Sequence, residues 1–307
     1  MAYSPTVPQP RFNYGGQAVI EGVMMRGSKA LAVAVRDPKG HIVIHTEPVN
    51  ASLYNGRISR TPFLRGLAML WDSLGLGMRA LMYSANVSAG EIGVEFKGPL
   101  AWGTTAIALI LGMGIFLLVP RGLASLIEPK FGPWVSAIAE GFIRLLIFIG
   151  YIWMIGRMED IKRVFGYHGA EHKTINAYEA GLDLTVANVQ RQTVQHPRCG
   201  TAFLLTVVVF SIFLFAPLNV LLPYGIGLIM RILLLPVVAM LAYEFIRFSA
   251  RHLENPIIHA IIVPNLAMQK LTTREPDDTM VQVAIEALQK VLDSEQNRPL
   301  NPEYLIP

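Results

Sequence analysis

The hydrophobic pattern of the chain is dominated by four long apolar stretches. Each has about the 20 residues that a helix needs to cross the hydrocarbon core of a bilayer. They are Leu100–Val119, Trp134–Gly156, Ala202–Leu222 and Gly225–Ser249. The first and third carry no charge, whereas Glu140 and Arg144 in the second are spaced to pair with each other at i, i+4. The pattern predicts a mainly α fold, a polytopic helical membrane protein with about four transmembrane helices.

The region before these stretches shows a period of two. After a flexible tail over residues 1–14, apolar residues alternate in Ala32–Val35 and Ile42–Ile44. Between them lies Asp37-Pro38-Lys39-Gly40, a favourable turn sequence. We therefore expect a short β-structure over residues 16–50.

A helical period follows, from Pro62 to about Ser84. Its apolar stripe consists of Phe63, Leu67, Leu70, Leu74, Met78 and Leu81. Three charged residues fall outside the stripe, namely Arg65, Asp72 and Arg79. We expect the stripe to pack on the β-structure; a position in the membrane interface is the alternative. Residues 15–99 are thus predicted to form a small cytoplasmic N-terminal α+β region.

A second amphipathic helix is predicted from Asp278 to about Asn297, with Asp277 or Asp278 as its cap. Its apolar face consists of Val281, Ala284, Ile285, Leu288, Val291 and Leu292. Residues 256–307 are interpreted as this cytoplasmic helix and a tail. Residues 100–255 are interpreted as the four-helix membrane region, in which the segment 157–201 joins the second and third spans.

Composition supports an apolar environment. The chain has 307 residues, of which 52% are hydrophobic and only 16% are charged, and its mean hydropathy is +0.43. Soluble domains carry about 25% charged residues. The single cysteine, Cys199, excludes an intrachain disulfide. The formal charge of +4 comes without a Lys/Arg run, which favours contact with membrane lipid and predicts no nucleic acid partner.

The distribution of Lys and Arg predicts the orientation in the membrane. Six of these residues lie in the segment 157–201, whereas the opposite loops hold only Arg121 and Lys130. Because cytoplasmic loops carry the excess of Lys and Arg, both termini and the segment 157–201 are expected in the cytoplasm. Residues 1–20 lack the pattern of a signal peptide.

The segment 157–201 contains the pattern H-x-x-E-H, formed by His168, Glu171 and His172. Positions four apart share a face of a helix, so both imidazoles can reach one metal ion. Glu171 lies about 60° to one side, where it can act as a ligand, as a hydrogen-bond partner of a ligand or as a general base. Two histidines and one glutamate rarely close a metal site, so a further ligand is expected from elsewhere.

The best source of that ligand is the string His196-Pro197-Arg198-Cys199, immediately before the third span. Proline favours the first position of a helix, which makes His196 the predicted cap and places Cys199 in the first turn. The helix dipole stabilises a thiolate there, the form of cysteine that ligates metals. The predicted metal ligands are therefore His168, His172, His196 and Cys199, and the catalytic candidate is Glu171.

A purely structural interpretation stays open. Tyr167, His168 and His172 can form satisfied hydrogen bonds at a membrane boundary, and Cys199 can be a small buried apolar residue. Glu244 is a distant candidate ligand, although an ion pair at the end of the fourth span is the expected role. Glu21 and Arg26 are further candidates for lining the same site.

Three strings together resemble a known family. They are the run from Gly16 to Arg26, the run Tyr167–Lys173 with Asn176-Ala177-Tyr178-Glu179, and the run His196–Thr201. They resemble the YqhQ-like family of bacterial membrane proteins, called domain of unknown function 1385 and described as a predicted metal-dependent enzyme. The resemblance covers roughly residues 13–295 and implies a multi-pass protein of the bacterial cytoplasmic membrane.

These observations lead to two functional hypotheses. The first is a zinc-dependent hydrolase at the cytoplasmic membrane face, since nitrogen and sulfur ligands suit a divalent ion such as zinc. A membrane-associated protein or a lipid-linked molecule would suit its position as substrate. The second is a non-catalytic membrane scaffold or assembly protein with a structural metal site, in which four protein ligands replace three ligands and water.

Overall fold

The computed structural model describes residues 14–49, 61–90 and 99–296. Its N-terminal part is an antiparallel sheet in which each strand pairs with the next, in the order β1-β2-β3-β4. The strands are β1 Gly15–Val19, β2 Gly22–Arg26, β3 Ala30–Arg36 and β4 Ile42–Pro48. The predicted turn at Asp37–Gly40 joins β3 and β4, and Gly40 adopts a φ of 89° there. The predicted β-structure is confirmed within the described residues.

Helices form the rest of the described chain. They are α1 Leu64–Ser88, α2 Pro99–Met113, α3 Val119–Ser125, α4 Glu128–Ile155, α5 Glu159–Glu179, α6 Val186–Gln190, α7 Gly200–Leu221, α8 Tyr224–Arg251, α9 Pro256–Thr272 and α10 Asp278–Gln296. A π-helical stretch, Gly114–Leu118, makes α2 continuous with α3. Helix α9 was not predicted from the sequence, although Asn255 caps its start and Pro256 occupies its first position.

Four helical segments of the described chain are long and apolar enough to cross a membrane. They are Ala106–Ser125, Glu128–Ile155, Gly200–Leu218 and Gly225–Arg251. Large apolar side chains on these segments point outward, as expected for contact with lipid; examples are Leu109, Phe142, Leu146, Phe213 and Leu233. The chain is a mainly α membrane protein with a small N-terminal sheet, as the sequence predicted.

A cluster of three charged residues lies inside the bundle of spans. Arg231 donates from both terminal nitrogens to Glu140, at 2.8 and 2.9 Å, and Arg144 pairs with the same carboxylate. Arg144 also donates to Ser211 Oγ at 3.2 Å and to the Phe116 carbonyl at 3.0 Å. All three charged side chains are buried. The predicted Glu140–Arg144 pair is confirmed, and Arg231 joins it from α8.

The N- and C-terminal regions share one hydrophobic core with α5. The face of α10 predicted from the sequence is buried there, together with one face of the sheet and part of α5. Its members include Val23, Met25, Ala32, Tyr167, Ala170, Val281, Ala284, Leu288 and Val291. The sheet, α5 and α10 therefore form a single unit beside the membrane bundle.

The end of α10 is fastened to the start of the described chain by Glu295. Its carboxylate accepts hydrogen bonds from the Tyr14 hydroxyl at 2.7 Å, from the Ser28 backbone and hydroxyl at 2.5 and 2.9 Å, and from the Lys29 N–H at 3.1 Å. At the other end of α10, Asp277 is the cap, because its carboxylate accepts from the Met280 N–H at 2.9 Å.

Helix α1 packs on the sheet as expected, but not through the predicted stripe. Its buried face, which contacts the sheet and α8, combines the small residues Gly66, Gly77, Ala80 and Ser84 with Leu76 and Val87. The stripe lies largely outside this contact: Phe63, Leu74 and Leu81 are 48%, 70% and 38% exposed, and Leu67, Leu70 and Met78 are half-buried. Small side chains let the backbone of α1 approach the sheet closely, while Leu76 and Val87 supply apolar contacts.

Candidate metal centre

Helix α5 places His168 and His172 on one face, with ring centroids 4.4 Å apart. Nδ1 of His168 lies 2.8 Å from the Thr272 carbonyl, and Nδ1 of His172 lies 2.6 Å from the Val194 carbonyl. Because a carbonyl oxygen only accepts, each Nδ1 carries the proton in the neutral ring. Each Nε2 therefore has a free lone pair, the orientation that metal-binding histidines take.

Cys199 comes to the same place from the start of α7. Its Sγ lies 3.3 Å from Nε2 of His168 and accepts from the Thr201 N–H at 3.4 Å. The Thr201 hydroxyl is 3.1 Å from the same sulfur. These contacts place the sulfur among hydrogen-bond donors at a helix start, where negative charge is stabilised.

The ligand atoms of His168, His172 and Cys199 all lie within 4.8 Å of one another. Zinc binds nitrogen at about 2.0–2.1 Å and thiolate sulfur at about 2.3 Å with tetrahedral angles, so its ligand atoms are about 3.3–3.6 Å apart. Small side-chain shifts would bring the three atoms to that spacing. The residue types and their geometry thus fit a divalent ion with three protein ligands.

His196 lies beside this triad but outside it, and its predicted role as helix cap is wrong. The cap of α7 is Cys199, because His196 to Cys199 form a turn closed by a 3.3 Å bond from the Cys199 N–H to the His196 carbonyl. Pro197 occupies the second position of this turn. Proline is as favourable there as it is at the first position of a helix. Gln269 of α9 holds the His196 backbone with two hydrogen bonds, at 2.8 and 2.9 Å.

The His196 ring is buried, and its centroid lies 5.5 Å from that of His172. Its Nε2 makes no hydrogen bond with any residue that the structure describes; the Glu179 carboxylate is 3.8 Å away. Burial lowers the pKa of His196 to about 4, so the ring is neutral at physiological pH. An unpartnered buried nitrogen is costly, and a ligand or water at the centre would satisfy it.

Glu171 is buried on the side of α5 that faces β1. The Gly16 N–H donates to its carboxylate, and a Cβ at Gly16 would lie 3.0 Å from the Glu171 Cδ. Only glycine allows this approach. Burial raises the pKa of Glu171 to about 7, while the electrostatic interaction with His168 and the Gly16 hydrogen bond act in the opposite direction. Glu171 therefore sits next to the triad without joining it.

The remaining charged and polar residues of the motifs position the loop that carries Cys199. Arg198 pairs with Glu179, and Lys173 Nζ donates to the Gln190 carbonyl at 2.8 Å. Asn176 donates to the Thr193 and Gln195 carbonyls at 2.8 and 3.1 Å. These contacts hold the loop between α6 and α7 against α5.

The three distant candidates lie away from the triad. Glu21 binds Arg163 at 2.5 Å and accepts from the Tyr167 hydroxyl at 3.3 Å. Glu244 pairs with Arg65 of α1, and Arg26 lies 3.9 Å from Asp72.

The sequence did not predict that the Thr272 and Val194 carbonyls orient the two histidine rings. Every residue has a carbonyl, and no side-chain pattern reveals which one is used.

Comparison with known proteins gives a family but no activity. A family model described as a protein of unknown function (DUF1385) matches residues 61–294. The uncharacterized protein YqhQ of Bacillus subtilis (strain 168) is 34% identical over 306 residues, covering 93% of this chain and 95% of that protein. No solved structure matches the chain. A match over most of the length, together with this identity, places the chain in the DUF1385 family.

Proposed function

We propose that this chain is a zinc-dependent hydrolase that acts at the cytoplasmic face of a bacterial membrane. The observation that carries the proposal is the triad of His168, His172 and Cys199, whose ligand atoms lie within 4.8 Å of one another. Both imidazoles are already oriented by backbone carbonyls. Three protein ligands and an open position are the pattern of catalytic zinc sites, whereas structural sites have four.

A divalent ion held there would supply Lewis acidity and lower the pKa of coordinated water toward about 7. Two residues of the chain would then act beside the ion, one in proton transfer and the other in hydrogen bonding. Glu171, with a pKa raised to about 7, is poised to accept and return a proton near neutral pH. His196 is neutral, and its unpartnered Nε2 can accept a hydrogen bond from water or substrate.

The substrate class follows from the position of the ligands. Cys199 directly precedes α7, whose residues Gly200–Leu218 are apolar enough to span the membrane. The triad therefore lies at the level where a span enters the bilayer. A membrane-associated protein or a lipid-linked molecule would reach such a site without leaving the membrane.

The second candidate function is a scaffold with a structural metal site. The burial of the cluster favours it: His172, His196 and Cys199 are 1%, 4% and 5% exposed. If His196 turns toward the triad it becomes a fourth ligand, and the ion then joins α5, α7 and the loop before α7. The ligand count separates the two functions.

The experiment is elemental analysis of the purified protein together with X-ray absorption. We expect one zinc per chain with two nitrogens and one sulfur from the protein. His168→Ala/His172→Ala should lose the metal. His252→Ala is the matched control, because its Nδ1 also contacts a carbonyl, that of Phe248 at 2.8 Å. Stoichiometric metal in the double variant would refute the site, and a third histidine nitrogen in the absorption spectrum would support the scaffold.

A further inference from the structure

Helix α1 has three distinct sides. Small residues pack on the sheet and on α8, as described above. A second side carries Arg65, Asp72 and Arg79 at intervals of seven, and each has a partner within the protein: Glu244, Arg26 and Glu47. The third side carries the apolar stripe and faces outward. Phe63 and Leu74 of the stripe are 48% and 70% exposed, and Leu64 and Trp71, which lie beside the stripe on the same side, are 52% and 80% exposed.

The start of α1 is held at the end of a membrane span. Arg65 binds Glu244, and a Cβ at Gly66 would lie 3.1 Å from the ring of Tyr243. Both partners belong to the last three turns of the span Gly225–Arg251. The stripe therefore begins at the depth at which α8 leaves the hydrocarbon, and its apolar surface continues from the lipid-facing surface of the bundle.

We propose that α1 lies in the membrane interface, with its apolar stripe inserted among the lipids of the bilayer that the four spans cross. Tryptophan is enriched at this level, because its ring is apolar and its N–H reaches the polar headgroups. The paired polar row lies roughly on the opposite side of α1. The occupant of the stripe is lipid, because the stripe adjoins a surface that is already covered by lipid.

This arrangement ties the sheet to the membrane surface. On β1, Gln17 contacts Gly77 of α1, and the neighbouring Gly16 contacts Glu171. Adjacent residues of a strand point to opposite faces, so one strand connects the interfacial helix with the side chain next to the metal triad. The depth to which α1 is inserted thereby fixes the distance between the bilayer and the triad of His168, His172 and Cys199. The proposal does not depend on a bound metal or on catalysis.

The test uses the fluorescence of Trp71 in the full chain reconstituted into lipid vesicles. The other three tryptophans, Trp102, Trp134 and Trp153, are replaced by phenylalanine. Lipids brominated near the headgroup end of the acyl chain should quench Trp71 strongly, and lipids brominated near the chain end less so. Aqueous iodide should have little effect. The matched control removes Trp71 and introduces Gln289→Trp on the exposed side of α10, where iodide should quench and brominated lipid should not.

Two results would overturn the proposal. Quenching of Trp71 by iodide but not by brominated lipid would mean that the stripe faces water. Protection from both quenchers would mean that a second copy or another protein covers it. If the triple replacement prevents folding, the difference between the natural chain and Trp71→Phe gives the same information from one conservative substitution.

Discussion

Cys199 Sγ and His168 Nε2 lie 3.3 Å apart although 31 positions separate them in the chain. Helix α5 supplies the imidazole, and the cap of α7 supplies the sulfur. The segment between them forms α6 and a loop that α5 holds through Lys173 and Asn176. The contact between Cys199 and His168 thus depends on Lys173 and Asn176, which do not take part in it.

The first prediction concerns the hydroxyl beside the sulfur. Thr201→Val keeps the shape of the side chain but removes the hydroxyl that lies 3.1 Å from Cys199 Sγ. Loss of such an outer partner typically weakens metal binding about 10–100-fold. Competition with a chelating indicator would measure this. Thr174→Val is the control, because its hydroxyl bonds the Ala170 carbonyl on α5; an equal loss there would contradict a specific role of Thr201.

The second prediction concerns Glu171. Glu171→Gln keeps the size of the side chain and one acceptor for the Gly16 N–H but removes the proton acceptor, a group worth roughly 10²–10⁴-fold in rate. We expect unchanged metal content and loss of the cellular phenotype that depends on this protein, measured by complementation of a deletion.

The outcome for Glu171→Gln also separates the two proposed functions. Full complementation by this variant would end the hydrolase proposal and favour the scaffold. Loss of metal together with loss of function would show that Glu171 is a ligand. Glu275→Gln serves as control, since this carboxylate contacts Lys173 at 2.7 Å while its side chain is 74% exposed.

The third prediction concerns the charged cluster in the bundle. Glu140→Leu leaves Arg144 and Arg231 buried without their common carboxylate, and removing one partner of a buried pair costs about 3–5 kcal/mol. Unfolding in mixed detergent micelles should show this loss. Glu159→Gln, which removes an exposed pair with Lys162, should change stability by less than about 1 kcal/mol. Equal effects of the two substitutions would contradict a structural role of the cluster.

The fourth prediction concerns pH and the cap of α10. Burial tends to raise the pKa of Asp277, but hydrogen bonds from Thr279 and the Met280 N–H outweigh it, so the pKa lies below the ordinary 3.8. The stabilisation is therefore present above pH 3.8 and is lost as the pH falls through the lower pKa of the folded state. Comparing the natural chain with Asp277→Asn at pH 7 and pH 3 isolates this effect from other groups.

We expect the advantage of the natural chain over Asp277→Asn to shrink at pH 3. Asp277→Ala removes the acceptor altogether and should cost about 0.5–2 kcal/mol at pH 7. An advantage that grows on acidification would show that the carboxylate does not act as the cap.

The fifth prediction concerns orientation. The sheet, α5 and α10 share one core, so the parts before the first span, between the second and third, and after the fourth must lie on one side of the membrane. The excess of Lys and Arg predicts that this side is the cytoplasm. Reporter fusions after residues 90 and 183 should report the cytoplasm, and a fusion after residue 127 should not. A fusion after residue 183 exported from the cytoplasm would invert the proposed topology.

Much of the site could be predicted from the sequence because its signals are periodic or compositional. The i, i+4 spacing of His168 and His172 already specifies a shared helix face. Cys199 stood out as the single cysteine of the chain, directly before an apolar span. The buried face of α10 could be predicted equally well, since Val281, Leu288 and Val291 follow the helical period and are all fully buried.

The parts that could not be predicted depend on packing between distant segments. Pro197 is compatible with a turn and with a helix start. In the structure it lies in a turn, and Gln269 binds the backbone of His196 at the beginning of that turn. In α1, Gly66 and Gly77 on the buried face carry no hydrophobic signal, whereas Trp71 and Leu74 carry a strong one and face outward. Hydropathy identifies an apolar stripe but not the material that covers it.

The bonds that Glu295 makes to Tyr14, Ser28 and Lys29 have a consequence for biosynthesis. These partners leave the ribosome early, whereas Glu295 emerges after all four spans. The turn between β2 and β3 therefore cannot form its hydrogen bonds to Glu295 until nearly the whole chain has been synthesised. Until α10 arrives, the sheet face that includes Val23, Met25 and Ala32 stays uncovered. Exposed apolar strands of this kind attract chaperones and proteases. A prematurely terminated chain that lacks α10 would keep this sheet face exposed and would therefore be degraded.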